Sequence, residues 1–322
     1  MHRSLDRIRA LLQRRWFRTA FVAIGLGLSL YVIGGMIYRN WSAFQSFSWQ
    51  LALLPLAGAA AALAAAFGLN LLTWILISRT FGSRVGLWKD VEIYSFSTIV
   101  RRLPGAIWQL ASRTYLYHQA ESSLAVPLWG SLWEYVVQLS SGLLLLSLVL
   151  LLSPAMRSEF PGGLGWLLLL VPVGWFSFRP QDAVSLAKRI SPKVQSQPQL
   201  TARNAGTWIA LYVLSWCLGG AILYFLISAL SPQSWSMLPV CVGLVAASGV
   251  LTVLASPLPG GLGIREISLV LLLELYLPTP VAVAGGVLMR LWLLVGEAIV
   301  ALLVLLIASG RQRWVSTDRN TP

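Results

Sequence analysis

Charge is scarce in this chain. Asp, Glu, Lys and Arg together make up 11% of its 322 residues, less than half of the roughly 25% found in soluble domains. Too little polar surface is available to cover a water-facing body of this length, so a soluble protein is excluded. Histidine is nearly absent, with only His2 and His118, which removes the usual nitrogen ligands of a metal site and the commonest general base. The two cysteines, Cys217 and Cys241, lie inside apolar stretches and read as small buried hydrophobes. The aspartates Asp6, Asp90, Asp182 and Asp318 fall outside the apolar runs, so no paired carboxylates are placed for intramembrane hydrolysis. Gly260, Gly261 and Gly263 lack the Lys-Ser/Thr of a nucleotide-binding loop. The expectation is no catalytic residue, no metal and no cofactor, and therefore not an enzyme.

What the chain does have is hydrophobicity, 57% of residues, in runs approaching or exceeding the ~20 residues that carry a helix across the hydrocarbon. This predicts an all-α polytopic membrane protein forming one transmembrane domain over residues 1–322. Six full spans are expected, at about 17–38, 50–77, 124–152, 163–178, 207–230 and 281–309. The first follows Arg14, Arg15 and Arg18 and has no small-residue cleavage site, so it reads as a retained span. The 15 tryptophans read mostly as interfacial belt residues. Net charge is +13, and the basic residues cluster between apolar runs, including a basic loop at 179–206 with a possible short surface helix at 182–190. That placement matches Lys and Arg fixing orientation in a membrane rather than binding nucleic acid.

Two segments depart from simple spans. Residues 91–118 carry Arg101, Arg102, Pro104, Gly105 and Arg113; residues 237–277 are interrupted by Pro257 to Glu266. Each turns on the same tripeptide, Leu103-Pro104-Gly105 and Leu258-Pro259-Gly260. In each, a span precedes, one arm leads in, a second leads out, and a long span follows with an embedded charge, Glu134 or Arg290. The shared order predicts an internal duplication, with half-repeats at about 50–152 and 207–309. Proline removes a backbone donor and glycine relaxes the helix, so each odd segment is expected to fold as a broken, re-entrant hairpin. With both hairpins returning to the side they entered, Lys and Arg collect on one face and leave only Arg39 and Arg157 opposite. That asymmetry puts both termini in the cytoplasm and makes the halves inverted, an architecture of alternating-access transporters. Were one hairpin to cross fully, the basic C-terminal tail would lie outside instead.

A charge at bilayer depth is costly and usually pairs or faces a polar cavity. Arg101, Arg102, Arg113, Arg265 and Arg290 are the candidates, with Glu134, Glu266, Glu274 and Glu297 as acids. Two readings apply. Guanidinium forks at the hairpin tips suit the phosphate of a lipid headgroup, with Trp108 lining the lipid path; alternatively the arginines snorkel or pair with the glutamates and hold helices together. For Arg290 the pairing partner would be Glu297 or Glu134.

The motifs Arg101-Arg-Leu-Pro-Gly-Ala-Ile-Trp108, with Arg113 beyond, and Pro259-Gly-Gly-Leu-Gly-Ile-Arg-Glu266 resemble the transmembrane flippase domain of lysylphosphatidylglycerol synthase (the multiple peptide resistance factor) and its stand-alone bacterial and archaeal relatives. The resemblance runs from the first span to the last. It implies movement of aminoacylated or other phospholipids between leaflets of a bacterial-type inner membrane. Residue by residue it implies a first signature of Arg101, Pro104, Gly105, Trp108 and Arg113, and a second of Pro259, Gly260, Gly263, Arg265 and Glu266. No aminoacyl-transfer domain follows before Pro322, so a stand-alone member is expected. The partners implied are a membrane lipid, phospholipid or lipid-linked sugar, and a lipid-synthesising enzyme; a non-transporting scaffold for such an enzyme is the rival function.

Overall fold

A computed structural model describes residues 31–160 and 200–318 apart from 32–33, 36, 102–106, 121, 124 and 256–263, with isolated positions between 161 and 199. The helices are α1 (Trp41–Ser46), α2 (Leu53–Thr80), α3 (Leu87–Val100), α4 (Ile107–Gln119), α5 (Ala125–Leu152), α6 (Pro154–Glu159), α7 (Ala202–Leu230), α8 (Met237–Ala255), α9 (Ile264–Leu273) and α10 (Thr279–Asp318). Among the described residues, α2, α5, α7, α8 and α10 are long and apolar enough to cross a membrane. The protein is a multi-pass helical membrane protein. Four of the six expected spans are among these five helices. The expected spans at 17–38 and 163–178, the surface helix at 182–190 and the expected loop as far as residue 199 lie largely outside the described residues, whereas residues 202–206, expected as the end of that loop, are helical and belong to α7.

Several boundaries move, each for a local reason. Helix α2 starts at Leu53, three residues later than expected, because Gln50 and Ala52 are extended and donate their N–H groups to Leu230 O and Ala229 O at 3.4 and 3.0 Å. It ends at Thr80, where Gly82 takes φ +84°, a conformation open to glycine without Cβ penalty. Helix α7 begins at Ala202, five residues early, because Thr201 caps it, its Oγ1 accepting from Asn204 N–H at 3.2 Å. The arm expected to lead into the second Pro-Gly segment is α8, a continuous helix of 19 residues, about 28 Å at ~1.5 Å per residue.

Side-chain neighbours give the helix directions. Ala52 meets Ala229, Gly58 meets Phe225, and Ser215 donates to Asn70 Oδ1 at 3.0 Å, so α2 and α7 are antiparallel. Tyr212 meets Glu134 and Trp216 meets Ser141, so α5 and α7 are parallel. Gly285 packs on Ile227 near the end of α7, and Gly296 on Leu63 midway along α2, which makes α10 antiparallel to α7. Thus α2 and α7 run oppositely, and so do α5 and α10. Helix α3 packs on α10, and α8 packs on α5.

Between the long helices lie two helical hairpins. In the first, Asp90 meets Tyr117 and Ser97 meets Arg113, so α3 and α4 are antiparallel. Its open end sits by Arg79 at the end of α2, level with the start of α5, where Gly130 touches Trp74 and Ile77. The second hairpin opens at the other end of α5. Gly243 of α8 abuts Met156, and Tyr276, just beyond α9, donates to Ala155 O at 3.5 Å. The two hairpins therefore open toward opposite ends of a 28-residue helix.

Charge follows these ends. Arg79, Arg84, Lys89 and Arg203, with the backbone positions of Arg311 and Arg313 late in α10, lie at one end; Arg39 and Arg157 lie at the other. The core divides likewise. An aliphatic cluster around Leu223, Leu226, Cys241, Leu244 and Leu273 occupies the less basic end, and an aromatic one around Trp74, Tyr94, Tyr117, Trp133, Trp208 and Tyr212 the basic end. The tryptophan expectation needs correcting: Trp41, Trp49, Trp88 and Trp235 are exposed near the ends, but Trp74, Trp133 and Trp208 are buried, because the basic-end core is built from rings. Both cysteines are free.

The α7–α8 contact depends on missing side chains. A Cβ at Gly220 would run into the Val242 backbone, whereas one at Gly206, in the same helix, would meet nothing within 4 Å. Gly220→Ala is expected to cost about 1–3 kcal/mol from overpacking. Gly206→Ala should gain roughly 0.5–1 kcal/mol from helix propensity. Thermal unfolding in one detergent measures both, and equal midpoints would refute the packing claim.

Candidate functional site

Three arginine–glutamate pairs join the hairpins to the long helices. The deepest centres on Arg113, whose side chain is fully buried. Its guanidinium grips the Glu134 carboxylate through Nη1 to Oε2, with Nη2 to Oε1 at 3.4 Å. Nε donates to Ser97 Oγ at 3.1 Å and Nη1 also to Ser131 Oγ at 3.4 Å. The guanidinium carbon lies 3.5 Å from the Trp74 ring centroid and 5.6 Å from that of Tyr94, within cation–π range. Tyr212 O–H donates to Glu134 Oε1 at 3.0 Å. Polar contacts continue outward: Trp74 Nε1–H donates to Tyr117 Oη at 3.0 Å, Tyr117 to Asp90 Oδ1 at 2.6 Å, and Arg79 Nη2 lies 2.7 Å from Asp90 Oδ2. In this conformation Arg113 and Glu134 are sealed and satisfied; their geometry anchors the first hairpin and leaves no room for a headgroup.

The second pair is Arg290 with Glu266, Nη1 to Oε1 at 2.7 Å. The angles fall outside a hydrogen bond, so this is a charge contact. Neither acid named for Arg290 from the sequence is its partner: Glu134 is taken by Arg113, and Glu297 by Arg101, Nη2 to Oε2 at 3.5 Å. The expectation missed Glu266 because sequence spacing does not show that α9 runs antiparallel along α10, with Val270 against Gly286.

In the first pair α4 carries the arginine and the long helix α5 the glutamate. In the second α9 carries the glutamate and α10 the arginine. The third pair joins the end of α3 to α10.

Exposure separates them. The side chains of Arg290 and Glu266 are 18% and 11% exposed, and those of Arg101 and Glu297 are 31% and 14%. Arg290 and Glu297 are seven residues apart, so they share one face of α10, about 10.5 Å apart along the axis. The end of α3 and the start of α9 converge on that face, forming a mixed-charge strip whose side chains are partly exposed. Arg265, in the first turn of α9, and Trp108 are half-buried and engaged with neighbours. Arg102, Pro104, Gly105, Pro259, Gly260 and Gly263 lie outside the described residues. Among the described residues no group of three or more His, Cys, Asp or Glu is placed to hold a metal ion.

Sequence reasoning overlooked Asp90, Tyr94 and Ser97. Their spacing carried a signal: with Arg101 they form an i, i+4, i+7, i+11 stripe on α3, and Arg113 and Tyr117 form an i, i+4 pair on α4. Tyr212 and Trp74 gave no such signal, because their polar atoms find partners only across the bundle. Comparison of the chain with protein-family models and with curated protein sequences finds no match.

Proposed function

We propose that the protein is a lipid translocase, a flippase or scramblase, that moves a phosphate-bearing lipid between leaflets with its headgroup held by Arg290 and Arg101. The carrying observation is the strip itself: two arginine–glutamate pairs, partly exposed, on one face of α10 where oppositely opening hairpins converge. A phosphate matches the guanidinium fork better than a single carboxylate contact does, so a headgroup can displace the glutamates, which then receive the arginines again after release. Arg265 and Trp108 flank the path, and Arg113 with Glu134 holds the first hairpin in position.

In this reading the first hairpin is re-entrant, and the second runs nearly the depth of the hydrocarbon along α8 before α9 returns toward the end it left. At ~1.5 Å per residue, α3 and α4 reach about 20 Å, short of the ~30 Å hydrocarbon, and they return to the end they left. The halves are inverted repeats, and the basic end is cytoplasmic by the distribution of Lys and Arg, with both termini on that side of a bacterial-type inner membrane. The resemblance to the flippase domain of lysylphosphatidylglycerol synthase supports the same reading. A rival is a non-transporting partner of a lipid-modifying enzyme, docking through the Arg79, Arg84, Lys89 and Arg203 end.

Purified protein in liposomes is expected to move fluorescent anionic phospholipid or lipid-linked sugar between leaflets. Absence of movement under every ion gradient overturns translocation. Full biological function after removal of both exposed arginines, with co-purification of a synthase, would favour the partner reading. Single cysteines at Arg84 and Gln233 should react with impermeant maleimide from opposite sides of the membrane; labelling from one side only would refute the sidedness.

A further inference from the structure

An apolar groove of about 280 Å³ opens between α10 and the segment preceding α2, lined by Phe44, Trp49, Leu230, Ala284, Val287 and Leu288, with Ile37 beside them. No polar surface lines it. We propose that this groove holds one hydrocarbon chain of the phospholipid whose headgroup occupies the Arg290–Glu266 end of the strip; this deepens the translocase reading and rests on it.

Three observations select the occupant. First, Val287 precedes Arg290 by three residues, which makes them neighbours on the helix surface. A single lipid can therefore place phosphate on the arginine and a chain in the groove. Second, α10 is the span with the least surface buried inside the protein, and Leu291, Val295 and Ile299 beyond the groove are about half exposed. The groove is thus continuous with the surface this helix presents to the bilayer, and a chain lying in it need not leave hydrocarbon while its headgroup is inside the protein. Third, the size suits one chain: the volume equals about nine water-sized volumes of ~30 Å³ each, room for a stretch of one hydrocarbon chain.

The test is photolabelling of the full chain in liposomes of phosphatidylglycerol carrying a diazirine near the end of one acyl chain, with adducts mapped by mass spectrometry. Labelling of Phe44, Val287 and Leu288 is expected to exceed that of Leu291, Val295 and Ile299 by about tenfold, a ratio equivalent to ~1.4 kcal/mol of preference. Ala284→Trp, which puts a bulky ring into the groove lining, should abolish the excess. The unmodified protein decides the matter even if that variant does not fold. Uniform labelling of α10 means ordinary surrounding lipid and overturns the proposal. So does groove labelling by a diazirine fatty acid when the phospholipid gives none. Movement of lipid with uniform labelling leaves translocation standing and removes the groove. Concentrated labelling without movement retains the groove and removes translocation.

Discussion

Glu134→Ala is expected to cost about 3–5 kcal/mol, the penalty for leaving one member of a buried pair without its partner. Arg113 would keep contacts to Ser97, Ser131 and Trp74, but none of these neutralises its charge. The guanidinium cannot shed its proton, so it must drag in water or pull α4 away from α5. Little folded protein should survive gel filtration in detergent, and any that does should unfold many degrees below wild type. Arg113→Met combined with Glu134→Leu is expected to recover most of the loss, because replacing both charges with apolar groups of similar volume is often neutral or stabilising. Tyr212→Phe deletes one hydrogen bond to Glu134, and about 1–2 kcal/mol should be lost. Wild-type stability in Glu134→Ala would show that this pair does not anchor the hairpin.

The exposed pair should respond differently. Arg290→Gln leaves Glu266 without its charge partner, and Glu266→Gln does the converse. Each single change should lower stability by less than the Glu134 variant does, since both side chains retain some access to their surroundings. The double variant Arg290→Gln/Glu266→Gln should refold and unfold like wild type. Lipid movement should nonetheless fall by at least about tenfold, because each ~1.4 kcal/mol of lost headgroup interaction is a tenfold change. A purely structural pair predicts recovery of both stability and transport in the double variant; a headgroup site predicts recovery of stability alone. Normal transport by the double variant would remove Arg290 from the lipid path, leaving Arg101 as the remaining candidate on that face.

The fold was legible in parts. The long apolar runs located α2 and α5 to within three residues and α7 to within five, because a helix crossing hydrocarbon must satisfy its backbone internally and is written as one contiguous segment; α10 continues nine residues past the end of its apolar run. The Pro-Gly tripeptides marked the two segments that differ from plain spans. The start of α8 and its end just before Pro257 follow the bounds read from the sequence. At the site, the charged residues were recognisable as unusual from their apolar surroundings alone, but their partners were not. Glu266 lies 24 residues from Arg290, and Glu297 lies 196 from Arg101; nothing local links such pairs.

Sequence by itself determined that this is a helical membrane protein, that its basic residues are unequally distributed, and that a few arginines and glutamates lie among apolar residues. These properties depend on composition and local order, which the chain carries along its length. Tertiary structure alone decided which acid neutralises which base, which pair is sealed and which is partly exposed. Coulombic pairing and solvent access depend on distances between helices remote in sequence, and those distances exist only once the helices have packed.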